Sequence, residues 1–243
     1  MLDDPKIIER IKEIRIYVNN KIESADNIED YSFKCLAIFS LLESFAQEWS
    51  NYPSKGTAKA FREFVMHFQE SYPYLDAIDP VTLYYDFRED LKGQFSLDYM
   101  HDGNYYYAKV LANNIEAKQI KQYLINTKKG KKTDICYRIN QHKYINLLYI
   151  MRSKISHEHC YYSWSKIADV WEIYEPCFIS CGSDWILGFP YQFIKQLTEE
   201  CITRYLNECE KKKEDPFKNN LDSRKFRLTW VDNVKDSPSR AGF

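Results

Sequence analysis

Apolar residues recur at three- and four-residue steps through most of this 243-residue chain, and that period points to a bundle of helices. Ile7, Ile11, Ile14 and Val18 mark a first amphipathic helix over about 4–22, with Asp3 or Asp4 as cap and Pro5 in its first turn. A polar joint follows at Ser24-Ala25-Asp26-Asn27. The second helix spans about 29–49, and the mainly apolar run from Cys35 to Leu42 makes it central to the bundle. Glu43 closes that run, either as a buried hydrogen-bonding group or as a carboxylate at a cleft. Thr57 caps a third helix to about 69, with Lys59 and Arg62 pointing outward. Asp79 and Pro80 start a fourth, over 81 to about 91. Further helices are expected over about 111–126 and 135–156, and a last one runs from Pro190 to about 210, closed by Lys211-Lys212-Lys213. Residues 96–110 are aromatic and loop-like, and Cys177–Cys181 could be extended.

Composition excludes several classes. Seven glycines disfavour glycine-loop nucleotide folds and many-turned β-architectures, and no GxGxxG or GxxxxGK[ST] pattern exists to cradle a phosphate. A net charge of −1 rules out electrostatic nucleic-acid binding by the chain as a whole, although a local cleft can still be basic. The opening Met1-Leu2-Asp3-Asp4-Pro5 lacks a basic and an apolar leader region, and no apolar run of ~18 residues is present. The expectation is a cytoplasmic protein that does not enter a membrane. Seven cysteines, scattered and odd in number, read as reduced thiols. Cys177 and Cys181 lie near His159-Cys160 in sequence, but without paired CxxC spacing no metal and no cofactor is assigned.

Chemistry concentrates in the stretch Leu147 to His159. Tyr144, Leu147, Leu148 and Met151 keep a buried-face period, and Arg152-Ser153-Lys154-Ile155-Ser156-His157 follows where the pattern turns polar. Five positions on an ideal helix leave two residues about 140° apart with a rise of ~7.5 Å, so a helix loosening near His157 would help the pair converge. Arginine offers a cationic planar fork to phosphate oxygens, and histidine moves protons near neutral pH. Without a metal, the two suit attack of an RNA 2′-hydroxyl on its neighbouring phosphate. The same two residues also suit a solvated helix end, where the helix dipole favours cations.

The six residues from Arg152 to His157 resemble the Arg-x4-His motif of HEPN domains, which carries a polar residue after the arginine. The resemblance implies an all-α, HEPN-like helical bundle with long loops and a short C-terminal appendage that could be extended. It implies residues 1–214 as the helical domain and 215–243 as a polar, partly flexible tail. It further implies a metal-independent endoribonuclease, acting as a homodimer with a composite cleft, in toxin–antitoxin or antiviral defence. Arg152 and His157 would then be catalytic, with Ser153 and Glu158 in support. The expected partners are RNA, tRNA among the candidates, and an antitoxin or regulatory protein.

Other stretches add weaker candidates. Arg88 to Gly93 is similar to the same motif with glycine in the histidine position, so Arg88 is either an RNA contact or a surface charge. Lys128, Lys129, Lys131 and Lys132 form a compact basic turn before the motif helix, suited to phosphate or to water. A catalytically inactive RNA- or nucleotide-binding or protein-interaction module on the same scaffold is the alternative function.

Overall fold

The computed structural model describes residues 4–50, 56–95, 105–107, 109, 116–127, 132–158, 174–181 and 184–217. It is an all-α bundle with one small sheet. Helix α1 (Asp4–Asp26) runs into the expected joint. Its last turn is held because Ala25 is buried, and because Ser24 Oγ and Asn27 Nδ2 donate to the carbonyls of Asn20 and Glu23. Helix α2 (Tyr31–Ser50) packs on four other helices and buries Ile38, Phe39, Leu42 and Phe45. Helix α3 (Thr57–Phe68) buries Phe61, Phe64 and Phe68. Its cap is Gly56 and not Thr57, since the chain enters with φ 73°, where glycine is at ease. Arg62 is not a free outward cation either, because it donates to Asn146 Oδ1 at 3.0 Å.

Two expected helices are each broken in two. Asp79 caps the fourth as anticipated, accepting from Val81 N and Thr82 N, but the helix divides into α4 (Pro80–Asp86) and α5 (Arg88–Leu91). Phe87 leaves helical geometry and buries its ring, over which the Arg138 guanidinium lies at 4.4 Å. The helix expected over 135–156 divides into α7 (Lys132–Gln141) and α8 (Tyr144–Glu158), with α6 (Glu116–Thr127) before it. At that break the backbone changes partner. Ile78 bridges Lys143, Asp79 N donates to His142 O at 2.7 Å, and Tyr144 N donates to Ala77 O at 3.1 Å. Tyr144 OH then reaches Asp79 Oδ1 at 3.0 Å, and Lys143 reaches Asp76 at 2.6 Å.

This joint separates two apolar clusters. The larger gathers α1, α2, α3, α8 and the last helix, α9 (Tyr191–Lys212). The smaller holds Leu83, Phe87, Leu91, Ile120, Leu124, Ile135 and Ile139 from α4 to α7. Among the described residues three antiparallel strands form one sheet: β1 (Tyr105–Tyr107), β2 (Cys177–Cys181) and β3 (Asp184–Gly188), in that order. The tyrosine run is therefore a strand, with Tyr106 opposite Phe178, and not the loop its polar neighbours suggest. Pro190 precedes α9 as expected, and Lys213 ends it in a left-handed conformation at φ 54°. Beyond it, Tyr205 OH donates to Pro216 O and Phe217 packs on Phe45 with ring centres 5.6 Å apart. Among the described residues no helix is long and apolar enough to cross a membrane. The alternating Phe226, Leu228 and Trp230 lie outside the described residues.

Burial pushes the Asp79 carboxyl up to about 6, against the hydrogen bonds from Thr82, Tyr144 and Val81 that favour its charge. A carboxyl raised in the folded state stabilises fully below its unfolded value of about 4, and that contribution is lost as pH rises through about 6. Asp79→Asn keeps a capping oxygen and never ionises. Urea unfolding of both proteins should show a smaller loss of stability between about pH 4 and 6 in the variant, within which the opposite contribution of buried His142 cancels. Equal losses would exclude Asp79 as the cause.

Candidate functional site

Helix α8 buries Tyr144, Leu148, Met151 and Ile155 along one stripe. Arg152 follows Leu148 by one turn and so lies on the flank of that stripe, facing α2. There its Nη2 donates to Glu43 Oε2. The two side chains are 17% and 7% exposed, so this is a largely desolvated ion pair and not surface decoration. Its hydrogen bonding is incomplete. Glu43 Oε1 and Arg152 Nε are buried without a partner among the described residues, and the guanidinium carbon sits 5.9 Å from the Tyr149 ring centre. Ser156 Oγ donates to Arg152 O at 3.0 Å, fastening the turn between the arginine and the histidine.

The helix does not loosen at His157 but continues through Glu158. Arg152 and His157 therefore leave one continuous helix with Cα directions about 140° apart. The side chains of His157 and Glu158 lie outside the described residues. Ser153 is partly exposed beside Arg152. A groove of about 360 Å³ opens next to this turn, lined by Asp30, Ser32, Phe33, Leu36 and Ile155. Phe33 is 57% exposed there, an uncommon position for a large aromatic ring.

Arg88 is exposed and rides on the smaller cluster, away from the packing that holds Arg152. Its helix ends at Leu91, and Gly93 follows in a turn at φ +77°, where a histidine would be strained. The Arg88 stretch is therefore not a helical counterpart of Arg152–His157. Lys128, Lys129 and Lys131 lie outside the described residues, as does the side chain of Lys132 at the start of α7. Burial pushes the Cys177 thiol up to about 12, which disfavours the thiolate a metal needs. Cys160 and the side chain of Cys181 lie outside the described residues.

One polar network escapes a sequence reading. His142 Nδ1 sits 3.1 Å from Thr82 Oγ1, its Nε2 sits 3.2 Å from Asp86 Oδ2, and Arg138 donates to the same oxygen at 3.0 Å. Burial lowers the His142 pKa, with Asp86 opposing. Burial alone would raise Asp86, but hydrogen bonds from His142 and Arg138 hold its carboxyl below the usual range. A neutral ring donating to Asp86 and accepting from Thr82 satisfies both nitrogens, so the network serves the α7–α8 joint. No periodicity marks it, because its members are brought together only by the break.

Removing one member of the Glu43–Arg152 pair strands the other in a dry site. Glu43→Ala or Arg152→Ala alone should lower unfolding free energy by about 3–5 kcal/mol, while Arg152→Met with Glu43→Leu should return it to near the wild-type value. Additive losses in urea denaturation would refute the coupling. The chain matches no family model, no curated protein and no solved structure.

Proposed function

We propose that the protein is a metal-independent endoribonuclease whose composite site brings the Arg152–His157 motifs of two copies into one cleft. The carrying observation is the continuous α8, which seats Arg152 against a buried carboxylate and sets His157 about 140° round the same helix. Two copies packed motif to motif can supply the convergence of arginine and histidine. In the reaction the 2′-oxygen attacks the adjacent phosphorus and the P–O5′ bond breaks. One His157 accepts the proton from the 2′-hydroxyl and the other donates a proton to the departing 5′-oxygen. Arg152 stabilises the charge gathering on the phosphoryl oxygens. The products are a 2′,3′-cyclic phosphate and a 5′-hydroxyl, and DNA is spared because it lacks the attacking group.

Ser153 and Glu158 support the pair, while Arg88, Lys128, Lys129, Lys131 and Lys132 contact phosphates outside it. The exposed Phe33 beside Ile155 suits stacking on an unpaired base, which favours single-stranded segments or loops such as those of tRNA. The setting is the cytoplasm, in a toxin–antitoxin or antiviral role with an antitoxin or regulator as partner.

One observation favours a second reading. Arg152 is already neutralised by Glu43, which suits an inactive module that binds RNA, nucleotides or a protein without cleaving. Incubation of the protein with tRNA and single-stranded RNA in EDTA separates the two. The nuclease yields cyclic-phosphate ends, and His157→Ala loses at least 100-fold in rate, the scale of a missing acid–base group. Arg152→Lys keeps a cation for Glu43 but loses the planar fork, and should also be slow. Binding without product in the wild type selects the inactive module.

A further inference from the structure

Glu43 sits in the most apolar helix of the bundle, at a position where leucine or methionine would pack without the cost of burying charge. An ion pair taken this far out of water adds little net stability, and here one carboxylate oxygen and the arginine Nε remain unsatisfied among the described residues. As a fastening between α2 and α8 the arrangement is poor. As a means of holding a guanidinium in one orientation it is well formed. The Nη2 end is tied to Glu43, the Tyr149 ring lies near the planar group, and Nη1 makes no hydrogen bond among the described residues. Glu43 comes from a helix more than 100 positions earlier, so it belongs to no motif centred on Arg152.

We infer that Glu43 is a positioning residue of the site, anchoring one end of the Arg152 guanidinium so that its Nη1 edge meets the phosphoryl oxygens. This rests on the ribonuclease reading. Glu43 touches no substrate and acts only through Arg152. The loss of its charge lets the guanidinium swing, and a displacement of about 1 Å at a reacting centre can cost on the order of 100-fold in turnover.

The test compares the wild type with Glu43→Gln, Glu43→Asp, Arg152→Ala and the double variant Arg152→Ala/Glu43→Gln on one single-stranded RNA, with melting curves for each. Glu43→Gln should lower kcat by 10- to 100-fold with little change in KM, and Glu43→Asp should recover part of that loss because it restores the charge. Guanidinium added well below denaturing concentrations should restore cleavage to Arg152→Ala, where Glu43 still offers it a seat. It should not restore cleavage to the double variant. That variant carries no stranded charge, so its failure is not a failure to fold. A pair that serves stability alone would shift melting and leave turnover of the folded protein untouched. Wild-type kcat in Glu43→Gln, or equal rescue with and without Glu43, overturns the inference and leaves the ribonuclease reading standing. A wild type that cleaves no RNA overturns both.

Discussion

The arrangement depends on a backbone exchange at Ala77–Asp79 and His142–Tyr144. There His142 O and Tyr144 N, which would carry one long helix onward, pair instead with Asp79 N and Ala77 O of a distant segment, while His142 N and Lys143 N turn back to Ile139 O and Asn140 O. With these two bonds made across the break, the chain changes direction without proline or glycine. That change sends α8 into the larger cluster, where Leu148, Met151 and Ile155 are buried and Arg152 meets Glu43. It also leaves α7 to close the smaller cluster through Ile135 and Ile139. The buried Asp79 ties the parts together, since it caps α4, receives Tyr144 OH and donates its own amide across the exchange.

Local signals account for much of the architecture. The three- and four-residue spacing of Ile7–Val18, Phe39–Phe45 and Phe193–Leu206 locates α1, α2 and α9, and Asp79-Pro80 marks the start of α4 because cap and proline chemistry is local. The two breaks are not local. Residues 81–91 and 135–156 look continuous, since helix formers flank both Phe87 and His142. What interrupts them is a ring seeking burial in one case and hydrogen bonds from some 65 positions away in the other. The strand at Tyr105–Tyr107 likewise owes its form to partners around Phe178, far along the chain. Of the candidate site, Arg152 and His157 stand out by residue type and spacing. Glu43 is visible only as a carboxylate in apolar company, and its contact with Arg152 had to await the packing of α2 on α8.

The molecule spends its buried polar groups unevenly. Asp79, His142, Thr82 and Asp86 are matched donor to acceptor, as structural networks are. Glu43 and Arg152 are matched at one end only, and a half-satisfied network is worse for stability than an apolar core. The contrast separates a joint whose polar groups are matched from a pair with bonding capacity in reserve, a capacity that Arg10 Nε, Tyr74 OH and Glu175 Oε2 also hold among the described residues.

The joint also sets how the protein breathes. Among the described residues, the smaller cluster buries seven apolar side chains, far fewer than the main cluster, and the two meet along the seam at Ile78 and Lys143. Sub-global opening is expected to divide there, with the amides of α4 to α7 exchanging ahead of those of α2, α3 and α9 in a hydrogen-exchange measurement. The amides of Asp79, just before α4, and Tyr144, the first residue of α8, should mark the boundary between the two regimes.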